Sequence, residues 1–317
     1  MLPFTPNFST FTLMSTSDKI GKEIWEGFLK ENPEAGSGAM SLEEINQRMA
    51  KYVARRNATP QADFEDLSPI QMRTLIHDPF ESGSPLVWVA DQNEEAIAQV
   101  PLLVLLDLLM ADIQRTGEVK LTAKGNLPVA LCTLLVEQGL IELKYWMSRG
   151  KPTEDKIPYL WPLKEFLMEE KLVKKRLQKL SLTKKGTEYM LLPASARLRI
   201  FITYFTARFH WGNLYHLEDD GHYGQMGVWY SLWLLLKYGD ERREASFYLE
   251  KWRKVFDRAS EPNYIAEYAY FIRFFDSFCR WFGLAHVEER NTPGEFDRVL
   301  LVEKSELLER VFDKTAS

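Results

Sequence analysis

Seven basic side chains lie within fifteen consecutive positions, and no acidic residue interrupts them. Ammonium and guanidinium groups at this density can neutralise phosphates, the contact that supplies most sequence-independent affinity for nucleic acid. The candidate nucleic-acid-binding residues are Lys171, Lys174, Lys175, Arg176, Lys179, Lys184 and Lys185. The alternative is a solvated strand and helix start with lysines for solubility. The nearby Glu165, Glu169 and Glu170 favour that alternative, because carboxylates repel phosphates.

A second candidate site is the segment "HWGNLYHLEDDGHYG", residues 210–224, since imidazole and carboxylate groups are common metal ligands. Its potential ligands are His210, His216, His222, Glu218, Asp219 and Asp220. The histidines are six residues apart, so they do not share one helical face. We therefore expect a polar joint between helices and no metal. A metal-dependent enzyme is the least favoured hypothesis.

Signatures of nucleophilic catalysis and of nucleotide binding are missing from the sequence. Cys132 and Cys279 both lie in apolar helical segments, which predicts buried, reduced thiols. No GxSxG, P-loop or GxGxxG occurs. We expect a protein that is not an enzyme and has no cofactor.

The basic residues must be positioned by a helix, a hairpin and a second helix. "LWPLKEFLMEEKLV" predicts the first helix and "VKKRLQKLSLT" the hairpin, and Thr183 is placed to cap a helix that begins at "KKG". Upstream, an amphipathic helix is predicted from about Glu94 to Gln114. A further helix over 127–138 ends at Gly139, and we expect an alternating strand after it.

This order of helix, basic strand, "LSLT" and "KKG" resembles the recognition helix and wing of winged helix-turn-helix domains. The pattern is carried by Leu160, Leu163, Leu172, Val173, Leu180, Leu182, Thr183 and Gly186. The loop at 148–158 is longer than that pattern has. An alternative division therefore ends one winged module near 146 and begins another at 160. The resemblance implies contact with duplex DNA or, as is also common for such modules, docking to a protein.

The phrase "KLTAKGNLP", residues 120–128, is similar to one in uncharacterised bacterial proteins that also have an aromatic C-terminal half. The similarity extends over about residues 65–312. It implies an architecture and a bacterial source but no established activity.

The composition is that of a folded protein, with 45% hydrophobic and 27% charged residues among 317. The net charge of -5 argues against a wholly basic nucleic-acid-binding domain but is compatible with a local basic face. The longest apolar runs are too short to span a bilayer, and no secretory signal is visible. We expect a cytoplasmic protein with no membrane partner.

The expected fold is mainly α with short β-hairpins, an α+β class built from several winged-helix-like modules. A degenerate repeat supports recurrent modules, since a helix end followed by a charged strand occurs at 134–144, 166–176 and 278–290. The predicted regions are a disordered tail (1–17), an N-terminal helical region (18–95), a winged-helix-like domain (96–193) and an aromatic-rich helical domain ending in a winged-like hairpin (194–317).

Two functional hypotheses follow from these patterns. The first is DNA binding in gene regulation through the basic wing. The second is a protein–protein interaction or scaffold module that uses the same surface or the aromatic C-terminal half. A contiguous basic face would favour the first hypothesis, whereas lysines paired with Glu169 or Glu170 would favour a solvated face.

Overall fold

The computed structural model describes residues 10–215, 217, 222–256, 264–291 and 298–314. It divides the chain into two compact units, and the boundary between Gln71 and Met72 falls within a helix. Within the described residues the protein is mainly helical with small antiparallel sheets, which confirms the expected α+β class. None of the helices in these ranges combines the length and the apolarity needed to cross a bilayer.

The first unit contains α1 (Thr10–Glu31), α2 (Leu42–Ala58) and the start of α3 (Pro69–His77). The Ser41 hydroxyl accepts from the Glu44 N–H, and the Glu44 carboxylate accepts from the Ser41 N–H, so a capping box starts α2. Phe28 and Tyr52 join α1 to α2 with ring centroids 5.8 Å apart.

The predicted disordered tail differs from the structure over part of its length. α1 begins at Thr10, so residues 10–17 are helical, while residues 1–9 lie outside the described residues.

The second unit contains the remaining helices. They are α4 (Glu94–Ile97), α5 (Pro101–Thr116), α6 (Val129–Val136), α7 (Tyr145–Ser148), α8 (Leu160–Glu169), α9 (Lys184–Met190), α10 (Ala194–Ala207), α11 (His222–Gln225), α12 (Val228–Tyr238), α13 (Ala245–Phe256), α14 (Tyr264–Tyr270), a π-helix (Phe271–Cys279) and α15 (Glu306–Val311). The π-helix buries Ile272 to Cys279 on all sides, including Arg273 and Asp276. The helical spacing of Phe271, Phe275 and Phe278 predicts only one buried face there.

In the described part of the second unit, eight short strands form three antiparallel sheets. The strands are β1 (Leu86–Trp88), β2 (Val119–Lys120), β3 (Val173–Arg176), β4 (Lys179–Leu182), β5 (Arg243–Glu244), β6 (Ala285–Asn291), β7 (Arg298–Lys304) and β8 (Phe312–Lys314). The strand orders are β1-β8, β2-β4-β3 and β5-β7-β6. The second and third sheets therefore share one topology, in which a short strand pairs with the last strand of a later hairpin.

Pairing of β1 with β8 brings residues 86–88 to the C-terminal end of the chain. The structure groups residues 72–95 with the second unit, whereas the sequence predicts that they belong with the N-terminal helices. The regions predicted as 96–193 and 194–317 lie together in this second unit.

Two predicted elements differ from the structure for identifiable reasons. The helix expected from Glu94 to Gln114 is interrupted before Pro101, because a proline disfavours helical geometry in the preceding residue and Val100 has ψ 118°. The strand expected after Gly139 is absent, and residues 140–144 form no ladder. Glu142 and Lys144 instead pair with Arg280 and Asp276 in the C-terminal half.

A buried ion pair between Glu154 and Lys164 holds the second sheet to its helices. Lys164 lies on α8, and its Nζ also donates to the Gly125 carbonyl at 3.1 Å. The other Glu154 oxygen accepts from the Leu127 N–H at 2.7 Å. Both side chains are less than a tenth exposed, so the pair joins the 149–158 loop, the 121–127 turn and α8 away from water.

We predict that Lys164→Met lowers the free energy of unfolding by about 3 to 5 kcal/mol, because it leaves the buried Glu154 carboxylate without its cation. The double variant Lys164→Met/Glu154→Gln should recover much of the loss. Urea unfolding followed by circular dichroism measures both. Lys151→Met, an exposed change on the same loop, is the control. An equal loss in the control and in Lys164→Met would contradict the assignment.

We also predict that Cys132 and Cys279 are inert toward a thiol reagent at pH 8 until urea unfolds the protein. Both are free and buried. Burial, and secondarily the charge of Glu154, raises the pKa of Cys132 to about 11. An unfolded thiol ionises near pH 8.5. The contribution of the buried Cys132 thiol to the free energy of unfolding is therefore present below pH 8.5 and is lost as the pH rises toward 11. Rapid native labelling of either thiol would contradict this prediction.

Candidate nucleic-acid interface

The predicted basic hairpin is present as β3 and β4. Arg176 pairs with Lys179, and the two residues between them, Leu177 and Gln178, form the turn. Their φ values of 48° and 57° give the two left-handed positions of a tight hairpin turn. The Leu177 side chain is 86% exposed, so the tip carries an apolar group between two cations.

The three-stranded β2-β4-β3 sheet has one buried face and one outer face. Val119, Val173 and Leu180 are buried and form the inner face. Side chains alternate along each strand, so the register places four cations together on the outer face. We call this group the basic sheet face, and its members are Lys120, Lys174, Arg176 and Lys179.

Lys120 is the residue that the sequence prediction missed. It is exposed, and the register pairs it with Lys179 on β4. Alternation in "VKL" predicts that Lys120 points away from its buried neighbours. Only the pairing of β2 with β4 places it beside the hairpin, which lies more than fifty residues further along the chain.

Three predicted contact residues have carboxylate partners. Lys179 pairs with Glu118, Lys184 with Glu188 at 3.6 Å, and Lys185 with Glu170 at 3.0 Å. The Lys185 Nζ also donates to the Glu170 carbonyl at 2.7 Å. These pairs match the solvated-face alternative for Lys184 and Lys185, because their charges are already balanced locally.

The other predicted cations have a different environment. Among the described residues, no carboxylate oxygen lies within 4 Å of the side-chain nitrogens of Lys171, Lys174, Lys175 or Arg176, and the same is true of Lys120. Lys175 lies opposite Leu180, on the inner side of the sheet, and Lys171 precedes β3 with φ 57°. Lys120, Lys174 and Arg176 therefore form the part of the basic sheet face without local neutralisation.

The preceding helix α8 presents no cation to solvent. Leu163, Phe166 and Leu167 are fully buried, and its one lysine, Lys164, is held inside by Glu154. The accessible polar positions of α8 are carboxylates. Positive charge is thus on the sheet and negative charge on the helix.

Thr183 connects the hairpin to α9 as predicted. Its hydroxyl accepts from the Gly186 N–H at 3.0 Å and donates to the Lys171 carbonyl at 2.7 Å. A Cβ on Gly186 would lie 2.1 Å from the Leu172 carbonyl oxygen. The "TKKG" sequence is therefore explained by a cap and a close backbone approach, independently of any ligand.

The third sheet provides a comparison within the same chain. Its hairpin, β6 and β7, carries both charge signs, and its carboxylates have arginine partners within 4 Å. Arg242 lies 2.6 Å from Glu288 and 3.4 Å from Glu303, and Arg290 lies 3.1 Å from Glu288. The same topology thus carries a neutralised surface in one case and a cationic surface in the other. The loop between β6 and β7 lies outside the described residues.

The 210–222 segment is described only in part. His216 and residues 218–221 lie outside the described residues, as does the side chain of His222, while His210 is exposed. Across the described ranges, no group of three or more His, Cys, Asp or Glu side chains is arranged to hold a metal ion.

Comparisons with family models, with curated proteins and with solved structures find no match to the chain.

We predict that Gly186→Ala lowers the free energy of unfolding by about 1 to 3 kcal/mol, because the added methyl meets the Leu172 carbonyl. Lys184→Ala, two residues earlier and exposed, should change it by less than about 0.5 kcal/mol. Chemical unfolding of both variants measures the difference. If the two variants were equally stable, the close approach at Gly186 would be refuted.

Proposed function

We propose that this protein binds duplex DNA through the phosphate backbone, using a winged-helix-type hairpin, and that it acts in gene regulation without catalysing a reaction. The observation that carries the proposal is the cluster of Lys120, Lys174 and Arg176 on the outer face of the β2-β4-β3 sheet. Three cations on one face, with no carboxylate within 4 Å among the described residues, are arranged to neutralise adjacent phosphates.

The topology supports the winged-helix interpretation. Apart from the short α7, the order α5, β2, α6, α8, β3, β4 with sheet order β2-β4-β3 is the arrangement expected of such a domain. The order α12, β5, α13, α14 with the π-helix, β6, β7 and the sheet order β5-β7-β6 repeat it, which supports several modules in one chain. The 149–158 loop departs from the pattern in length, and Glu154 gives that loop a structural role.

Contact with the backbone is favoured over reading of bases. A recognition helix must present donors to the major groove, whereas α8 is buried and its accessible polar groups are carboxylates. Duplex is favoured over single-stranded nucleic acid, because the basic sheet face carries no aromatic side chain on which a base could stack. We therefore propose weak, salt-sensitive binding with little sequence preference from this surface.

A protein–protein interaction or scaffold role is the second candidate. It is favoured by two exposed leucines near the basic residues, Leu177 at the hairpin tip and Leu191, 82% exposed, at the end of α9. The pairing of Lys185 with Glu170 also removes one predicted DNA contact. We further propose a cytoplasmic location, which is supported by the two free, buried thiols.

The test is fluorescence anisotropy of a labelled random-sequence duplex with the full chain, from about 50 to about 200 mM salt. We predict that Lys120→Ala/Lys174→Ala/Arg176→Ala abolishes most binding. We also expect it to make the dependence of log K on log salt shallower by about 2 to 3 units, because three phosphate contacts are removed.

Lys151→Ala/Lys254→Ala/Lys314→Ala is the matched control, since it removes the same charge from exposed positions elsewhere in the second unit. It should retain nearly all the affinity. Equal losses in the two triple variants would indicate a net-charge effect only. No binding by the wild-type chain at low salt would overturn the DNA proposal and favour the protein-docking candidate.

A further inference from the structure

A serine, Ser181, lies among the cations of the basic sheet face. It belongs to β4, and the register places it directly opposite Lys174 on β3. Lys179 is two positions earlier on the same strand, so both side chains project from the same side of the sheet. Arg176 lies opposite Lys179. Of the four outer positions of this hairpin, three therefore carry a cation and the fourth carries a hydroxyl.

The Ser181 side chain is much shorter than those of its three neighbours. Cβ atoms that lie directly opposite each other on antiparallel strands are about 4.5 to 5.5 Å apart. Residues two positions apart on one strand are separated by about 7 Å. Three long side chains at these separations leave a space above the hydroxyl, which we call the Ser181 recess. Its walls are cationic and its base is a neutral hydrogen-bond donor.

The Ser181 hydroxyl is available to a ligand. The residue is half-buried, its oxygen reaches solvent, and it forms no hydrogen bond with another protein group in the described part of the chain. Two other hydroxyls of this region are used by the fold. Thr183 caps α9, and Thr122 accepts from the Asn126 N–H at 3.1 Å. Ser181 has neither of these structural tasks.

One carboxylate adjoins the basic sheet face. Glu118 immediately precedes β2 and forms an ion pair with Lys179. Over the ranges that the structure describes, no other carboxylate oxygen lies within 4 Å of a cation of this face. Glu118 therefore balances Lys179, while Lys174 and Arg176 on β3 keep their full charge. A phosphate is attracted to the β3 side of the Ser181 recess.

We propose that one phosphodiester of the DNA backbone binds in the Ser181 recess. One of its two unesterified oxygens accepts a hydrogen bond from the Ser181 hydroxyl, and the other faces Lys174 and Arg176. The inference rests on the DNA binding proposed above and adds the residue that fixes where the strand crosses the hairpin. Serine hydroxyls donate to phosphates in many protein–DNA interfaces, where such contacts set the register of the protein on the duplex. A short hydroxyl can bind a phosphate at one place only, whereas flexible lysines can follow it to many.

Fluorescence anisotropy of the full chain with a labelled random-sequence duplex separates the hydroxyl from the cations. Ser181→Ala should lower the affinity by about three- to tenfold at each salt concentration, because one hydrogen bond to a charged group is lost. The dependence of log K on log salt should not change, since a neutral donor releases no counterion. Ser82→Ala changes an exposed serine elsewhere in the second unit and should leave the affinity unchanged.

A second pair of variants isolates the hydroxyl at constant shape. Ser181→Thr keeps the hydroxyl and should bind within about twofold of the wild type, whereas Ser181→Val lacks it and should bind as weakly as Ser181→Ala. Both threonine and valine favour β-strands, so this pair keeps the test valid if Ser181→Ala destabilises β4. The melting temperature of each variant checks that the fold is retained.

Glu118→Gln tests the basic sheet face without altering the Ser181 recess. It frees Lys179 for a phosphate, so the affinity should rise by about two- to fivefold and the salt dependence should steepen by up to about one unit. Glu137→Gln removes an exposed carboxylate that has no contact with this face and controls for net charge.

The outcomes distinguish this inference from the one on which it rests. Equal affinities of Ser181→Thr and Ser181→Val, or the same loss in Ser82→Ala as in Ser181→Ala, would overturn the assignment of Ser181. A gain in Glu118→Gln in that same experiment would leave DNA binding by the basic sheet face in place. No binding by the wild-type chain at low salt would overturn both proposals.

Discussion

The Glu154–Lys164 ion pair is the interaction on which the candidate interface depends. Two charges that are withdrawn from water must be matched, and here each also satisfies a backbone group, the Gly125 carbonyl or the Leu127 N–H. The pair thereby fixes α8 against the turn that follows β2. Because β3 follows α8 directly and β4 pairs with β2, the pair links both sides of the basic hairpin, in addition to the buried inner face of the sheet.

The burial of α8 determines where the exposed positive charges lie. Lys164 points inward and the accessible polar positions of the helix are acidic, so the exposed cations lie on the strands. The basic sheet face is a small positive patch on a chain of net charge -5. Such a patch attracts phosphates over only about a Debye length at physiological salt, which fits weak contact with a DNA phosphate backbone better than long-range steering. The carboxylates on the accessible side of α8 repel phosphates.

The two sheets of the second unit that share one topology differ in their surface charge. In the β2-β4-β3 sheet, short strands expose cations in one direction. In the β5-β7-β6 sheet, Arg242, which precedes β5, pairs with Glu288 on β6 and Glu303 on β7. The same strand order therefore carries an exposed cationic face in the first of these sheets and ion-paired charges in the second. The difference lies in side-chain charge and not in backbone.

The sequence by itself determined the local features, because their signals act over a few residues. Ser41 and Thr183 cap helices, and the hairpin reverses between Arg176 and Lys179. Only the tertiary structure determines which segments pair as strands and which charged side chains form ion pairs. Residues 140–144 alternate like a strand but form no ladder, and Lys144 reaches Asp276 instead. Lys120 joins the basic sheet face, while Lys185 is neutralised by Glu170. Register and ion pairing join residues far apart in the chain, so no local pattern encodes them.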